Sequence, residues 1–154
     1  MIRTQREENK TVAGERILCR MNSDKPGPTV VFFGGIHGNE PAGVAALTEV
    51  TKTLNCKGAA LDKGSLIGIR GNLPALLQKE RFLDHDLNRI WSRSRLETVL
   101  AKPEHQRSSE EKELVLIYEL IQEVLQSYSP PFYFIDLHTT SSRTRPFITI
   151  NDSI

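Results

Sequence analysis

The sequence predicts an α/β fold: a three-layer α/β/α sandwich on a mostly parallel mixed sheet. Three observations predict it. Short runs of β-branched and aromatic residues alternate with stretches of helical apolar spacing. Several of those runs end on glycine, which punctuates a strand where the chain must turn. The run Phe132 to Leu137 is nearly all apolar, the pattern of a strand covered on both faces.

In chain order, Glu15 to Met21 and Thr29 to Phe33 read as two short strands that pair across the turn-rich segment SDKPGP. Gly34 and Gly35 end the second strand, and Pro41 suits the first turn of a helix. Val44, Leu47 and Leu54 recur at helical spacing, so a helix runs from about Glu40 to Leu54. Ser65 to Arg70 is a third strand, stopped by Gly71. Asn72 and Pro74 then supply an N-cap and a first-turn proline for a short helix through Ala75 and Leu77. Arg81 to Pro103 has no clean period and reads as a long ordered loop. Ser108 and Glu111 form a capping box opening a helix whose apolar face is Leu114, Ile117, Ile121 and Leu125, stopping before Pro130 and Pro131. The charged run Glu110 to Glu113 reads as a solvated helix start. Phe132 to Leu137 reads as a buried central strand, and Phe147 to Ile150 begins another.

The 154 residues are expected to form a single domain with a real core, and no repeat or low-complexity segment interrupts them. Apolar and charged fractions of 38% and 25% are those of a soluble globular chain, neither disordered nor membrane-embedded. A net charge of +1 argues against bulk electrostatic binding to nucleic acid or anionic membrane. Met1 to Lys10 is charged with no apolar stretch behind it, so a secretory signal is not expected. Cys19 and Cys56 suit reduced thiols in a cytoplasmic protein.

The polar residues that carry chemistry follow the strands. In open α/β sheets ligands bind beyond the carboxyl ends of the strands. There the sequence places GGIHGNE, RGN and DLHTTSS. His37 and Glu40, three residues apart at a loop-to-helix junction, can face one point, and His138 arrives from a second strand. Two neutral imidazoles and one carboxylate form a ligand set for catalytic zinc that leaves a position open for water and substrate. A bare HxxE alone would read as an exposed histidine beside a helix-start glutamate. The glycines Gly34, Gly35 and Gly38, which allow sharp backbone turns, and the second histidine favour one zinc ion per chain on His37, Glu40 and His138. Asp136, two residues before His138, shares its strand face. It either accepts the remaining ring N–H of a zinc-bound His138 or pairs with a nearby loop. His85 and His105 read as solvated, and Trp91 as a packing residue.

The segments GGIHGNEPAG, NLPALLQKERFLDHDLNR and FIDLHTTSS, in this order and at these separations, resemble the succinylglutamate desuccinylase and aspartoacylase family, which is related in fold to the zinc carboxypeptidases. The resemblance runs from about Thr29 onward. It implies hydrolysis of the amide of an N-acyl acidic amino acid, with zinc on His37, Glu40 and His138. It also implies that Arg81, Asn88 and Arg89 hold the carboxylates or the scissile carbonyl. Guanidinium suits that task, since its planar fork grips a carboxylate with two parallel hydrogen bonds. Without the resemblance, Arg81, Asp86 and Arg89 would read as a surface ion-pair cluster.

One departure stands out. The family's general base is a glutamate well beyond the DLH histidine, yet the only acid after His138 here is Asp152. The base is therefore expected beyond residue 154, and the chain reads as the amino-terminal part of the catalytic domain or as a naturally shortened form, with a sheet edge open to homo-oligomer formation. A zinc carboxypeptidase acting on peptides and a non-catalytic metal-binding domain are the competing readings.

Overall fold

Four strands, β1 (Ile17–Asn22), β2 (Thr29–Gly34), β3 (Ser65–Arg70) and β4 (Phe132–Leu137), form one sheet in the order β1-β3-β2-β4. The computed structural model describes residues 16–56, 60–140 and 143–150. The expectations for residues 1–15, the Cys56 side chain and Asp152 lie outside these. β2 pairs in parallel with both β3 and β4, while β1 runs antiparallel along β3, so the sheet is mixed and mostly parallel.

The expected pairing of β1 with β2 does not occur, because β3 lies between them. The turn-rich connection passes beneath the start of β3, where Ser23 N–H donates to Gly64 O and Ser65 N–H donates to Pro28 O, each at 2.9 Å. The apolar run of β2 therefore has a parallel neighbour on each side, as its composition suits. Thr29, fully buried, sets the register of β2 against the chain entering β4. Its N–H donates to Pro131 O at 2.9 Å and its hydroxyl to Ser129 O at 2.8 Å.

Four α-helices accompany the sheet among the described residues: α1 (Ala42–Cys56), α2 (Leu73–Gln78), α3 (Arg93–Ala101) and α4 (Ser109–Ser127). Alternation along β2 sends Val31 and Phe33 into one core with Ile67, Ile69 and the α4 residues Leu114, Ile117, Leu120 and Val124. Gly34 faces the other way, where a Cβ would lie 2.8 Å from the Gly43 carbonyl carbon, so α1 covers the opposite face. Helices on both faces of the sheet make the three layers. α4 begins with the Ser108–Glu111 capping box, and α2 with Asn72 accepting from Ala75 N–H. The buried stripe of α4 is rotated from expectation: Leu125 is 40% exposed and Val124 replaces it.

Four further expectations fail for identifiable reasons. The 81–103 stretch contains α3, capped by Ser92 accepting from Arg95 N–H. It escapes a periodicity test because Val99 is its only buried residue. β4 is an edge of the described sheet, not its centre, and Tyr133, Phe134 and Ile135 are exposed. Phe147 to Ile150 forms no strand: a β-prone run needs a neighbour to pair with, and these residues lie exposed. Trp91 is 38% exposed and is no core residue.

The largest correction concerns Glu110 to Glu113. Glu110, Glu111 and Glu113 are buried, with exposures of 0%, 2% and 4%. Buried carboxylates need hydrogen-bonded partners, and each has them. Glu113 grips Arg16 through two contacts of 2.9 and 3.0 Å and accepts from Leu73 N–H. Glu111 pairs with Lys102 and Arg95. Glu110 receives the loop that follows α2.

Candidate metal centre

Parallel register brings Gly34, Arg70 and Leu137 level with one another, so the segments after β2, β3 and β4 leave the sheet at one edge. After β2 the chain turns at Gly35, whose φ of 76° is costly for a residue with a side chain. The other two glycines named for turning serve contact instead. At Gly38 a Cβ would sit 2.1 Å from the Ala75 carbonyl oxygen, so only glycine lets the loop rest against α2. Glu40 N–H then donates to His37 O at 3.1 Å, a tight turn that aims both side chains to one side. His138 follows immediately after β4.

One donor atom from each of His37, Glu40 and His138 lies within 4.8 Å of the others. The two rings stand 4.9 Å apart between centroids. His37 Nδ1 faces Glu40 Oε1 at 3.0 Å, and His138 Nδ1 faces Glu40 Oε2 at 3.1 Å. The outer nitrogens face carboxylates too: His37 Nε2 meets Asp86 Oδ1 at 3.0 Å, and His138 Nε2 meets Asp136 Oδ2 at 2.5 Å. Each imidazole is thus flanked by two acceptors. With the outer nitrogens donating to Asp86 and Asp136, both Nδ1 lone pairs and the Glu40 carboxylate converge. Such a donor set suits a cation between them, and the outer carboxylates fix the tautomer that presents Nδ1 inward. In that tautomer Asn88 Nδ2, 3.3 Å from Asp136 Oδ2, donates to the carboxylate rather than to the ring.

Glu40 and Asp86 both stay ionised. Burial works to raise the Glu40 pKa, but the Thr139 N–H hydrogen bond and the neighbouring His138 and His37 rings outweigh it and hold it below its ordinary value. For Asp86 burial is likewise outweighed, chiefly by the hydrogen bond from His37, with help from Asn88 N–H and Arg81. Arg81 reaches Glu40 Oε1 and Asp86 Oδ2, each at 3.4 Å, with half its side chain in solvent. Asp86 also caps a 3-10 turn, Leu87–Arg89, which presents Asn88 and Arg89. The Arg89 guanidinium is exposed and makes no ion pair or hydrogen bond among the described residues.

Residues 26–151 match the family described as Succinylglutamate desuccinylase/Aspartoacylase catalytic domain. The chain belongs to this family. Among its relatives is a succinylglutamate desuccinylase from Photorhabdus laumondii, 31% identical over 125 residues that cover 81% of this chain and 37% of that protein. Another, from Yersinia pestis, is 26% identical over 90% of this chain and 45% of its own length. The chain thus spans less than half the length of these relatives. The crystal structure of a succinylglutamate desuccinylase from Chromobacterium violaceum superposes with a TM-score of 0.61 at 23% identity, covering 77% of this chain and 35% of that one. A second, from Vibrio parahaemolyticus, gives 0.59 at 21% identity, covering 77% and 37%. At such identities they show the shared fold.

Two residues that shape the candidate site, one in it and one behind it, escape a reading of the sequence. Asp86 looks like one member of a surface ion-pair cluster, because nothing local ties it to a histidine 49 residues earlier. Its one signal is its place two residues before Asn88, which marks a cap. Glu110 looks like a first-turn acid that complements the helix dipole; no local pattern announces that a distant loop folds over it. His85 and His105 are exposed, as expected.

Proposed function

We propose that this chain carries the metal site of a zinc-dependent hydrolase that cleaves the amide of an N-acyl acidic amino acid, such as N-succinylglutamate or N-acetylaspartate. The observation that carries it is the convergence of His37, Glu40 and His138 with an outer carboxylate on each imidazole. Zinc held there would supply Lewis acidity, polarising a carbonyl and acidifying water. The chain's own residues bind and orient. Asp86 and Asp136 hold the ring protons of His37 and His138 on the outer nitrogens. Arg89, exposed and unpaired among the described residues, has all its donors available for a substrate carboxylate. Arg81 contributes positive charge beside Glu40, and Asn88 offers a neutral donor. Family membership supports the substrate class.

A specific observation also favours a second reading, a metal-binding domain without turnover. The three carboxylates that touch the histidines, Glu40, Asp86 and Asp136, are each committed to an imidazole. Amide hydrolysis needs a further group to protonate the leaving nitrogen, and losing such a group costs roughly 10²–10⁴ in rate.

Binding separates the readings. The zinc-loaded chain is expected to bind N-succinylglutamate or N-acetylaspartate in preference to a peptide ending in an apolar residue. Arg89→Lys should weaken that binding by about 1.5–3 kcal/mol, because lysine keeps the charge but loses the fork. Turnover should fall far below that of the full-length Photorhabdus laumondii relative under the same conditions. Preference for the apolar peptide would indicate a carboxypeptidase. Binding of neither ligand would leave only the metal-binding domain, and turnover matching the relative would place a general base within these residues.

A further inference from the structure

We propose that Glu110, which hydrogen-bonds none of the metal ligands, is a positioning residue that sets metal affinity by holding the loop that carries Asp86. This rests on the metal-centre reading above. The Glu110 side chain is fully buried at the start of α4. Its Oε1 accepts from Leu83 N–H at 2.7 Å and from Asn72 Nδ2 at 3.0 Å. Its Oε2 accepts from Asp84 N–H at 2.9 Å and His85 N–H at 3.1 Å. Three consecutive backbone amides therefore wrap one carboxylate, and the next residue is Asp86. The loop answers in kind: Asp84 Oδ2 accepts from Ser109 N–H at 2.8 Å and caps the helix that provides Glu110.

A loop without regular secondary structure must satisfy its buried amides somewhere. Here residues 83–85 point theirs at a single charged acceptor, which fixes the backbone immediately before Asp86. Asp86 in turn meets His37 Nε2 at 3.0 Å and Arg81 at 3.4 Å. The chain of contacts thus runs from the core of α4 through one short loop to the tautomer of His37. Asn72, which caps α2, joins the same carboxylate and ties in the segment following β3. Ionisation matters: burial would favour the protonated acid, yet the hydrogen bonds from Leu83, Asn72, Asp84 and His85 hold the pKa below its ordinary value. A glutamine of the same shape would aim an NH₂ group at N–H donors and could satisfy only one side of the nest.

The test measures zinc and cobalt affinity of the 154-residue chain by chelator competition, together with the cobalt visible spectrum, at temperatures where circular dichroism shows each variant folded. Glu110→Gln is expected to lower affinity by about tenfold or more, the scale seen when an outer partner of a metal-bound histidine is lost, and to alter the cobalt spectrum. Glu111→Gln is the control. It is just as buried on the same helix, but it contacts Lys102, Arg95 and Ser108 rather than the loop carrying Asp86. It should lose stability while keeping wild-type affinity and spectrum. Equal affinity losses in the two variants would reduce Glu110 to general support and overturn the proposal, as would wild-type affinity in Glu110→Gln. Should Glu110→Gln not fold, Asp84→Ala breaks the same junction from its exposed side. A loss of affinity there supports the proposal, and none overturns it. If the wild type binds metal and His37→Ala abolishes it, a negative Glu110 result counts against the positioning role alone. If the wild type binds no metal, both readings fall.

Discussion

The two halves of the candidate site repeat one chemistry in different surroundings. Each histidine faces Glu40 with Nδ1 and an aspartate with Nε2. His37 is 6% exposed and its partner Asp86 17%, whereas His138 and Asp136 are 34% and 31% exposed. The His37 half is enclosed by a tight turn, by α2 and by a loop gripped from the core. The His138 half stands at the end of an edge strand. A charge-assisted hydrogen bond strengthens as water is excluded. The enclosed half should therefore be set before any ligand arrives, and the open half should owe more of its order to what binds.

That contrast can be broken first at the ligands themselves. If the proposed ligand set is right, His37→Ala and His138→Ala should each lower zinc affinity by orders of magnitude, since each would remove a direct bond to the ion. Metal analysis of purified protein is the measurement, and equal zinc in the wild type and the double variant would end the ligand assignment for both halves.

The outer carboxylates sharpen the comparison. Asp86→Asn and Asp136→Asn should each reduce affinity by roughly 10–100-fold, with the larger loss at Asp86, where less solvent substitutes for the missing charge. Titration calorimetry at one pH would rank them. A larger loss at Asp136 would invert the picture of one enclosed and one open half.

The smallest expected effect is on stability against pH. Glu110 titrates below its ordinary 4.5 in the folded chain. A carboxylate with a depressed folded pKa binds protons more readily when unfolded, so its contribution is fully present above 4.5 and drains away as pH falls through the folded value. Wild-type protein should consequently lose denaturation midpoint more steeply below pH 4.5 than Glu110→Gln. Parallel slopes would mean that folding does not depress the Glu110 pKa.

The same contrast explains what could be read from the sequence. The strands, the capping box and the inner histidine–glutamate pair are signalled by neighbours in the chain: glycine after an apolar run, Ser108 before Glu111, His37 before Glu40. Their physics acts over three or four residues. Asp86 and Glu110 act over 49 and 25 to 38 residues, and an acid that will be buried looks the same in sequence as one that stays in water. α3 was hidden for a related reason: a helix that buries a single residue prints no period. β4 misled in the opposite direction, since its apolar run suits a covered strand while only one neighbour pairs with it among the described residues.

Thr29 has a consequence at a distance. It pins the entry to β4 at the far end of β2 from the candidate metal centre, five residues away from Gly34, or about 17 Å at the rise of an extended strand. Side chains on a strand alternate, so a slip of one residue at that pin would carry Asp136 and His138 through the sheet to the wrong face. An ion that binds only the assembled ligand set stabilises only the chains in which the strand was laid down correctly. The metal centre would then serve as a proofreader of its own scaffold, reporting at one edge of the sheet whether an alignment chosen at the other was right.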